Sequence, residues 1–421
     1  MTLFAVEGPA GCGKTFRLME ALGEALAAVP LQEGQRVLAL SFMHGARRRL
    51  NDKLGAVPGL KRRFECVTVD SFAWRLLRRW RGLAATLGIQ PPQEDQYDAQ
   101  CDAAGMLLER PEVRGWVTTS FPIVLVDEAQ DLKPQRLRML SALAQSARTL
   151  IAADEFQCLD AALRPNPLIG WMRGVCEPEI LNQVRRTNVP ALLTAAAAIR
   201  AGEAPVAGNR FRILAAQGVP VAAAMLASAI RWRQGGRVAV ITPSLQGGFA
   251  QSVVRRVCEN SCGKQRNGPY AIRWERSEQD ETAALTDGLQ LNGVVCTAEA
   301  LTALEALPRS GAVRETCAWV RHQARARGRT ELSRTEIEAV IARQVAVRRQ
   351  RYGTDSYDFT AMTVQQAKNR EFEGVFILWP YQIGGDAEHK RRLLYNALTR
   401  AQRWCTVVVQ NSDLLQAAPF Q

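Results

Sequence analysis

A glycine-rich segment near the start of the chain has the residue types and spacing of a phosphate-binding loop. Residues 8–15 read GPAGCGKT, which matches the pattern G-x-x-x-x-G-K-[ST]. In such a loop, glycines let backbone N–H groups surround phosphate oxygens, the lysine reaches the terminal phosphates, and the threonine hydroxyl binds Mg²⁺. The pattern predicts a nucleoside triphosphate site formed by Gly8, Pro9, Ala10, Gly11, Cys12, Gly13, Lys14 and Thr15, with Mg²⁺ at Thr15.

Strands and a helix must position this loop and bring carboxylates opposite it. The apolar residues 3–6 precede the loop, and residues 16–22 follow it with helical periodicity. A second apolar run, 121–126, ends in Asp127 and Glu128. Because the carboxyl ends of parallel strands meet at one edge of a sheet, we expect Asp127 to bind Mg²⁺ through water and Glu128 to act as general base for the attacking water.

Residues 127–131, which read DEAQD, resemble motif II of the UvrD/Rep/PcrA-like branch of the superfamily 1 helicases. Further segments resemble motifs of the same family, in the family's order, at 37–42 (motif Ia), 68–72 (Ib), 153–157 (III), 181–187 (IV), 362–372 (V) and 391–401 (VI). On this resemblance we expect an ATP hydrolase and DNA helicase, in a compact variant with reduced 1B and 2B insertions.

The resemblance also implies roles for residues that bind or hydrolyse the nucleotide. Gln157 matches the family's γ-phosphate sensor, Arg186 its phosphate-binding arginine and Arg400 its arginine finger. Glu371 matches an acid that contacts the ribose, and Arg185 stands where the family has an aromatic residue that stacks on the base. The implied catalytic residues are Lys14, Glu128, Gln157, Arg186 and Arg400.

Two departures from the family bear on base selectivity. The chain starts only seven residues before Gly8, so the family's upstream glutamine motif is expected to be absent. Arg185 can stack on a base only through a cation–π contact. We therefore expect relaxed selectivity, with GTP or CTP hydrolysed almost as well as ATP.

The same resemblance implies a track for single-stranded DNA, which would combine polar groups that hold phosphates with aromatic platforms. The residues that match family positions on this track are Phe42, Ser71, Phe72, Thr363 and Gln365, the last of which replaces a family histidine. Trp74 and Trp171 are either further stacking residues or members of the core.

The order of apolar runs and motifs predicts an α/β fold with two RecA-like P-loop NTPase lobes, each a parallel sheet flanked by helices. The first lobe is expected at 1–176, with a small helical insertion at about 75–115, and the second at 177–245 and 356–421. A mainly helical, arginine-rich insertion is expected at 246–355, the 2B position. The predicted strands are 3–6, 36–41, 65–69, 122–126 and 149–153 in the first lobe, and 210–214, 237–242, 359–363, 374–379 and 404–409 in the second.

The composition favours a polyanionic partner. The 421 residues carry a net charge of +13, and 47 of the 54 basic residues are arginine, although codon drift can produce the same bias. Residues 312–351 hold ten arginines against four glutamates. Their helix is either a solvated face or a surface for duplex DNA or a protein, and the candidate contacts are Arg343, Arg348, Arg349 and Arg351.

Several other classes of protein are disfavoured. A hydrophobic content of 47% argues against a disordered chain, and no apolar run has the length of a membrane span. The first residues lack the features of a secretory signal. The ten cysteines are scattered without metal-ligand spacing, so we expect reduced thiols in a cytoplasmic protein.

Two functional hypotheses remain. The first is an ATP-dependent single-stranded-DNA translocase and helicase, 3′→5′ as in the family, that acts on single-stranded DNA or a tailed duplex. The second is a DNA-stimulated ATPase switch that gates a partner such as a nuclease and unwinds little by itself. A small-molecule kinase is disfavoured, because motifs IV to VI have no role there.

Overall fold

The structure, a computed structural model, describes residues 3–41, 44–90, 92–93, 96–232, 236–276, 278–352 and 358–421. Internal contacts divide the chain into two compact units. The larger unit comprises Met1–Arg273 and Asp358–Gln421, and the smaller one comprises Trp274–Tyr357. None of the helices in the described ranges is long and apolar enough to cross a membrane.

Among the described residues, the first lobe of the larger unit is built on six parallel strands. They are β1 (Leu3–Glu7), β2 (Val37–Ser41), β3 (Phe64–Thr68), β4 (Ile123–Val126), β5 (Arg148–Ala153) and β6 (Glu179–Ile180). The helices are α1 (Lys14–Ala28), α2 (His44–Gly55), α3 (Val69–Arg79), α4 (Arg81–Thr86), α5 (Tyr97–Leu108), α6 (Pro111–Ser120), α7 (Pro134–Ala144) and α8 (Pro167–Val175). The strand order is β3-β2-β4-β5-β1-β6, so β1, β4 and β5 end side by side.

The strands of this sheet form because apolar side chains cover both of its faces, as in other parallel sheets. On β2, Val37 and Ala39 pack with α1 and α2, whereas Leu38 and Leu40 pack with α3, α5 and α7. Burial on both sides fixes the strands and therefore fixes the loops that leave their carboxyl ends. The phosphate loop and the segments after β4 and β5 all leave this edge.

The second lobe contains a second parallel sheet. Its strands are β7 (Phe211–Ala215), β8 (Val238–Thr242), β9 (Arg273–Trp274), β12 (Phe359–Thr363), β13 (Phe372–Trp379) and β14 (Ala401–Val409). Its helices are α9 (Pro190–Ala201), α10 (Val219–Trp232), α11 (Phe249–Glu259), α16 (Val364–Ala367) and α17 (Ala387–Leu398). The order is β7-β14-β13-β8-β12-β9, with β7 to β12 parallel. Two such lobes confirm the predicted fold class.

A glycine in the second sheet lies against a tryptophan ring. Gly374 of β13 pairs with Trp404 of β14, and a Cβ atom at Gly374 would overlap the indole. We expect Gly374→Ala to destabilise the fold by about 1–3 kcal/mol, the usual cost of overpacking a core. Chemical denaturation measures this loss. Gly384→Ala is the control, because its new Cβ would have no neighbour within 4 Å; equal midpoints for both variants would contradict the prediction.

The smaller unit is mainly helical. Its elements are α12 (Glu278–Asp287), β10 (Val294–Cys296), α13 (Thr297–Glu305), α14 (Gly311–Arg327), β11 (Glu331–Ser333) and α15 (Arg334–Tyr352), and β10 and β11 pair antiparallel. The core between its helices includes Leu304, Val320 and Ile341. Each of these side chains is fully buried.

The smaller unit is shorter than the insertion expected at 246–355. It begins at Trp274, because α11 packs against α10 and so belongs to the second lobe. Of the predicted arginine contacts, Arg343 is exposed, whereas Arg348 lies against Gly311 of α14. The side chains of Arg349 and Arg351 are outside the described part of the chain.

Candidate functional site

The predicted phosphate loop lies between β1 and α1. Gly11 and Gly13 have left-handed backbone conformations, with φ of 77° and 93°, and Gly13 is the N-cap of α1. Lys14 is buried, and its Nζ donates hydrogen bonds to the carbonyl oxygens of Gly8 (2.8 Å) and Pro9 (3.0 Å). The amine is thus held inside the curve of the loop, where the N-terminus of α1 adds positive potential for a phosphate.

Gly11 is a loop position that cannot accept a side chain without movement. A Cβ atom there would lie 2.6 Å from the Cβ of Arg186, on a residue with positive φ. We expect Gly11→Ala to weaken nucleotide binding by about tenfold, because either the loop or the arginine must shift. Titration with a fluorescent ADP analogue measures the affinity. Gly23→Ala, with no atom within 4 Å of its Cβ, is the control, and equal affinities would refute the expectation.

Thr15, at the end of the loop, is connected by hydrogen bonds to Asp127 and, through it, to the backbone of Glu128. Thr15 Oγ1 donates to Asp127 Oδ2 (2.8 Å), and the backbone N–H of Glu128 donates to Asp127 Oδ1 (3.0 Å). Burial and the charge of Glu128 raise the pKa of Asp127. Burial also opposes ionisation of Glu128, but Lys14 and Gln130 outweigh it and lower the pKa of that carboxyl. Glu128 is therefore ionised and able to accept a proton.

The donor set at this point suits Mg²⁺. This ion prefers oxygen ligands and is commonly bound by one or two carboxylates together with substrate phosphates and water. Thr15 and Asp127 bring a hydroxyl and a carboxylate into contact. Across the described ranges, no cluster of three or more His, Cys, Asp or Glu side chains could enclose an ion without a nucleotide. Thr15 and Asp127 would hold Mg²⁺, which supplies positive charge to the phosphates.

Gln130 orients Glu128, a role that the sequence did not indicate. Its Nε2 donates to Glu128 Oε2 (2.7 Å), and its Oε1 accepts from the backbone N–H of Asp154 (3.0 Å). Its carbonyl oxygen accepts from Asn166 Nδ2 (2.9 Å). Gln130 is buried, so these bonds fix the Glu128 carboxylate, whose backbone has the left-handed φ of 57°. The only signal in the sequence was the place of Gln130 within DEAQD.

Gln157 of the first lobe and Arg400 of the second lobe, both predicted site residues, contact each other. Gln157 Nε2 donates to Asp154 Oδ2 (2.8 Å), and Gln157 Oε1 accepts from Arg400 Nη2 (3.1 Å). Arg400 Nε donates to the carbonyl oxygen of Asn396 (2.9 Å). Burial and the neighbouring charge of Arg186 lower the pKa of Arg400 to about 10, so its guanidinium remains charged at neutral pH. A buried cation of the second lobe thus contacts Gln157 of the first lobe.

Arg186 and Glu371 form an ion pair at the same edge. Arg186 Nε donates to Glu371 Oε1 (2.9 Å), and Arg186 Nη1 donates to the carbonyl oxygen of Thr399 (2.9 Å). Glu371 Oε2 accepts from Gln402 Nε2 (3.0 Å). The side chain of Arg185 is exposed beside the loop, and its backbone N–H donates to the carbonyl oxygen of Gly11 (2.7 Å).

The two lobes touch at several further points around the loop. A backbone N–H of the phosphate loop itself donates to the second lobe, from Ala10 to Tyr395 Oη (2.8 Å). The other polar contacts are Lys368 Nζ to Asp131 (2.9 Å), Arg200 Nη1 to Asp154 Oδ1 (2.7 Å) and Arg392 Nη1 to the carbonyl oxygen of Glu155 (2.6 Å). The second lobe is therefore docked on the edge that carries the loop.

Family models match both lobes. Residues 1–220, more than half of the chain, match the AAA domain, and residues 358–408 match the UvrD-like helicase C-terminal domain. The chain is an AAA-domain protein of the UvrD/Rep-like superfamily 1 helicase family. The C-terminal match contains Glu371 and Arg400, and the N-terminal match contains the loop and both acids. No curated protein matches the chain.

A cavity of about 90 Å³ lies where the helicase lobes meet. Thr15, Asp127 and Glu128 line one side of it, and the remaining lining residues are Arg49, Leu50, Lys53, Arg186, Asn369 and Glu371. Arg49 and Lys53 stand four residues apart on α2, which places them on one face of that helix. The motif comparison did not identify either cation, and the helical spacing of basic residues after β2 was the available signal.

The residues predicted to form the DNA track differ in exposure. Phe72 is 1% exposed and packs in the core of the first lobe, so it cannot stack on a base, and that prediction is corrected. The exposed Ser71 accepts a hydrogen bond from Thr68 Oγ1 (2.8 Å). Phe42 lies outside the described residues.

The other predicted track residues lie at the start of α16 and in the first lobe. Thr363 caps α16 by accepting from the backbone N–H of Gln366 (3.3 Å), and Gln365, two residues after Thr363, is exposed. Trp171 packs against the core cluster of the first lobe, which favours the core interpretation for it. Trp74 is half-buried.

Proposed function

We propose that the protein is a Mg²⁺-dependent ATPase that translocates along single-stranded DNA in the 3′→5′ direction and separates the strands of a tailed duplex. One observation carries the proposal: charged groups from both lobes surround a single phosphate loop. Lys14 and Glu128 come from the first lobe, and Arg186 and Arg400 come from the second. Such an arrangement makes hydrolysis depend on how the lobes are docked.

Each residue has a defined part in the proposed reaction. Lys14 and Arg400 stabilise the charge that develops on the transferred γ-phosphoryl group, and Arg186 joins them when it exchanges Glu371 for a phosphate. Glu128 accepts a proton from the attacking water, in the orientation fixed by Gln130. In this proposal both lobes also hold the strand, so that alternate docking and separation of the lobes would move the protein along DNA.

Base selectivity follows from the surroundings of Arg185. Its side chain is exposed and offers a flexible cation rather than a fixed aromatic ring. We expect kcat/KM for GTP and CTP to fall within about tenfold of the value for ATP, because stacking on a cation distinguishes bases weakly. Steady-state rates with the four triphosphates measure this. A preference for ATP of a hundredfold or more would contradict it.

A second candidate function is a DNA-stimulated ATPase switch that gates a protein partner such as a nuclease. The burial of Phe72 favours it, because the track then has one aromatic platform fewer for strand separation. All ten cysteines are free thiols, which supports a reducing, cytoplasmic setting for either function.

Comparison of 3′-tailed with 5′-tailed duplexes tests the proposal. The full chain and its Lys14→Ala variant are assayed for ATP hydrolysis, with and without single-stranded DNA, and for unwinding of each duplex. We expect DNA-stimulated hydrolysis and unwinding of the 3′-tailed duplex by the wild type alone. Strong stimulation without unwinding of either duplex would favour the switch. Absence of DNA-stimulated hydrolysis would refute both functions.

A further inference from the structure

The guanidinium groups of Arg49 and Arg186 line the nucleotide cavity, and that of Arg400 lies within electrostatic range of both. Arg186 is paired with Glu371, and Arg400 with the side chain of Gln157. Arg49 lines the cavity and makes no hydrogen bond or ion pair within the described part of the chain. A cation beside two other cations, without a carboxylate of its own, is the arrangement expected where a polyanion binds.

Arg49 lies in a cavity whose other lining residues come from both lobes. Its lining neighbours include Asp127 and Glu128 on the phosphate side, and Arg186 and Glu371 on the other side. Arg49 is exposed at the cavity mouth. Partial loss of hydration of its guanidinium and the like charge of Arg186 lower the pKa of Arg49, while Glu371, Glu128 and Asp127 act in the opposite direction. The guanidinium is therefore within electrostatic reach of the groups that hold both ends of a bound polyphosphate.

We propose that Arg49 is a third polyphosphate-binding arginine, supplied by the lobe that carries the phosphate loop. The inference rests on the proposed nucleotide site and adds to it a contact that does not depend on lobe docking. Arg400 approaches the phosphates only when the second lobe is docked, and the side chain of Arg186 is held by Glu371 and the Thr399 carbonyl oxygen of that lobe. Arg49 belongs to α2 of the first lobe, so it contacts the phosphate chain whether the lobes are docked or apart.

This difference in origin predicts a difference in kinetics. A contact present equally in the bound ground state and the transition state contributes to affinity and leaves the chemical step largely to other groups. We expect Arg49→Gln to raise KM for ATP by about tenfold, the value of one charge-assisted hydrogen bond, with a smaller change in kcat. Because the contact is to phosphate, KM for GTP and CTP is expected to rise by the same factor.

The experiment measures steady-state kinetics with ATP, GTP and CTP, and the affinities for fluorescent ADP and for inorganic tripolyphosphate by competition. Three variants of the full chain are compared with the wild type: Arg49→Gln, Arg49→Lys and Arg36→Gln. Arg36 is exposed at the start of β2, at the opposite end of the strand from α2, so Arg36→Gln is the control for loss of one positive charge. Partial rescue by lysine is expected, since it keeps the charge and loses the planar fork.

The outcomes separate the two proposals. Weaker binding of ADP and of tripolyphosphate by Arg49→Gln alone supports a phosphate contact. If the variant binds tripolyphosphate like the wild type, Arg49 does not contact the polyphosphate and the inference is overturned. Loss of kcat at unchanged KM would also overturn it. If the wild type itself binds no nucleotide, the proposed function fails; if Lys14→Ala abolishes binding and Arg49→Gln does not alter it, only the inference fails.

Discussion

Replacement of Arg400 by glutamine is expected to lower kcat for ATP hydrolysis by about 10³-fold or more, with nucleotide binding largely retained. Arginines that neutralise the transferred phosphoryl group across a cleft contribute about 10³ to 10⁵ in rate. Arg400 is 2% exposed, and its guanidinium is held by the Asn396 carbonyl oxygen and Gln157. A neutral glutamine supplies no positive charge to the phosphates. Single-turnover hydrolysis and ADP binding, measured in parallel, separate the two effects.

The test needs a control for charge and a check on folding. Arg403→Gln removes an exposed arginine from β14, three residues further along the chain, and should leave kcat unchanged. Arg400→Lys keeps the positive charge but lacks the planar, bidentate guanidinium. The thermal unfolding of this variant shows whether the buried site tolerates substitution. If Arg400→Gln unfolds at the wild-type temperature and keeps more than a tenth of kcat, Arg400 has no part in the chemical step.

Replacement of Glu128 by glutamine is expected to lower kcat by about 10² to 10⁴-fold, the usual contribution of a general base. The substitution keeps the shape of the side chain and its contact with Gln130, but the amide cannot take a proton from water. Binding of ATP should persist, so the variant should hold uncleaved ATP. Rapid filtration of radiolabelled ATP, together with the rate of phosphate release, measures both quantities.

Two further variants define the result for Glu128. Glu112→Gln removes an exposed acid from α6 and should behave as the wild type. Gln130→Ala leaves Glu128 charged but removes the donor at 2.7 Å, so it should give a smaller loss of kcat than Glu128→Gln. Wild-type phosphate release by Glu128→Gln would mean that another group accepts the proton.

The sequence predicted the parts of the site that are continuous in the chain. The phosphate loop and the acids after β4 carry both their chemistry and their structural context in a few consecutive residues. The two lobes followed from apolar runs placed between such motifs. Site residues that lie on helices outside these motifs could not be found from the motifs. Arg49 and Lys53 become part of the candidate site only because α2 lines the same cavity as Thr15.

At Phe72 the family resemblance predicted a site residue that the structure places in the core. Its position matched a family DNA contact, yet Val69, Phe72, Ala73 and Leu76 have the i, i+3, i+4, i+7 spacing of an apolar helix face, and all four are buried in α3. Periodicity was thus the better guide at this residue. The predicted start of the insertion, residue 246, was too early. The apolar face of α11 packs on the second lobe, and this packing, which the sequence does not show, assigns the helix to that lobe.

The size of the cavity between the lobes has a consequence for turnover. Sites for drug-sized ligands usually measure about 300–1,000 Å³, whereas the cavity lined by Thr15 and Glu371 measures about 90 Å³. We therefore expect a nucleoside triphosphate to enter only when the lobes move apart near the hydrogen bonds of Tyr395 with the Ala10 amide and of Lys368 with Asp131. These bonds must break each time a nucleotide is loaded and form again before it is cleaved. The strength of the contacts between the lobes would then set an upper limit on the rate at which the protein exchanges nucleotide.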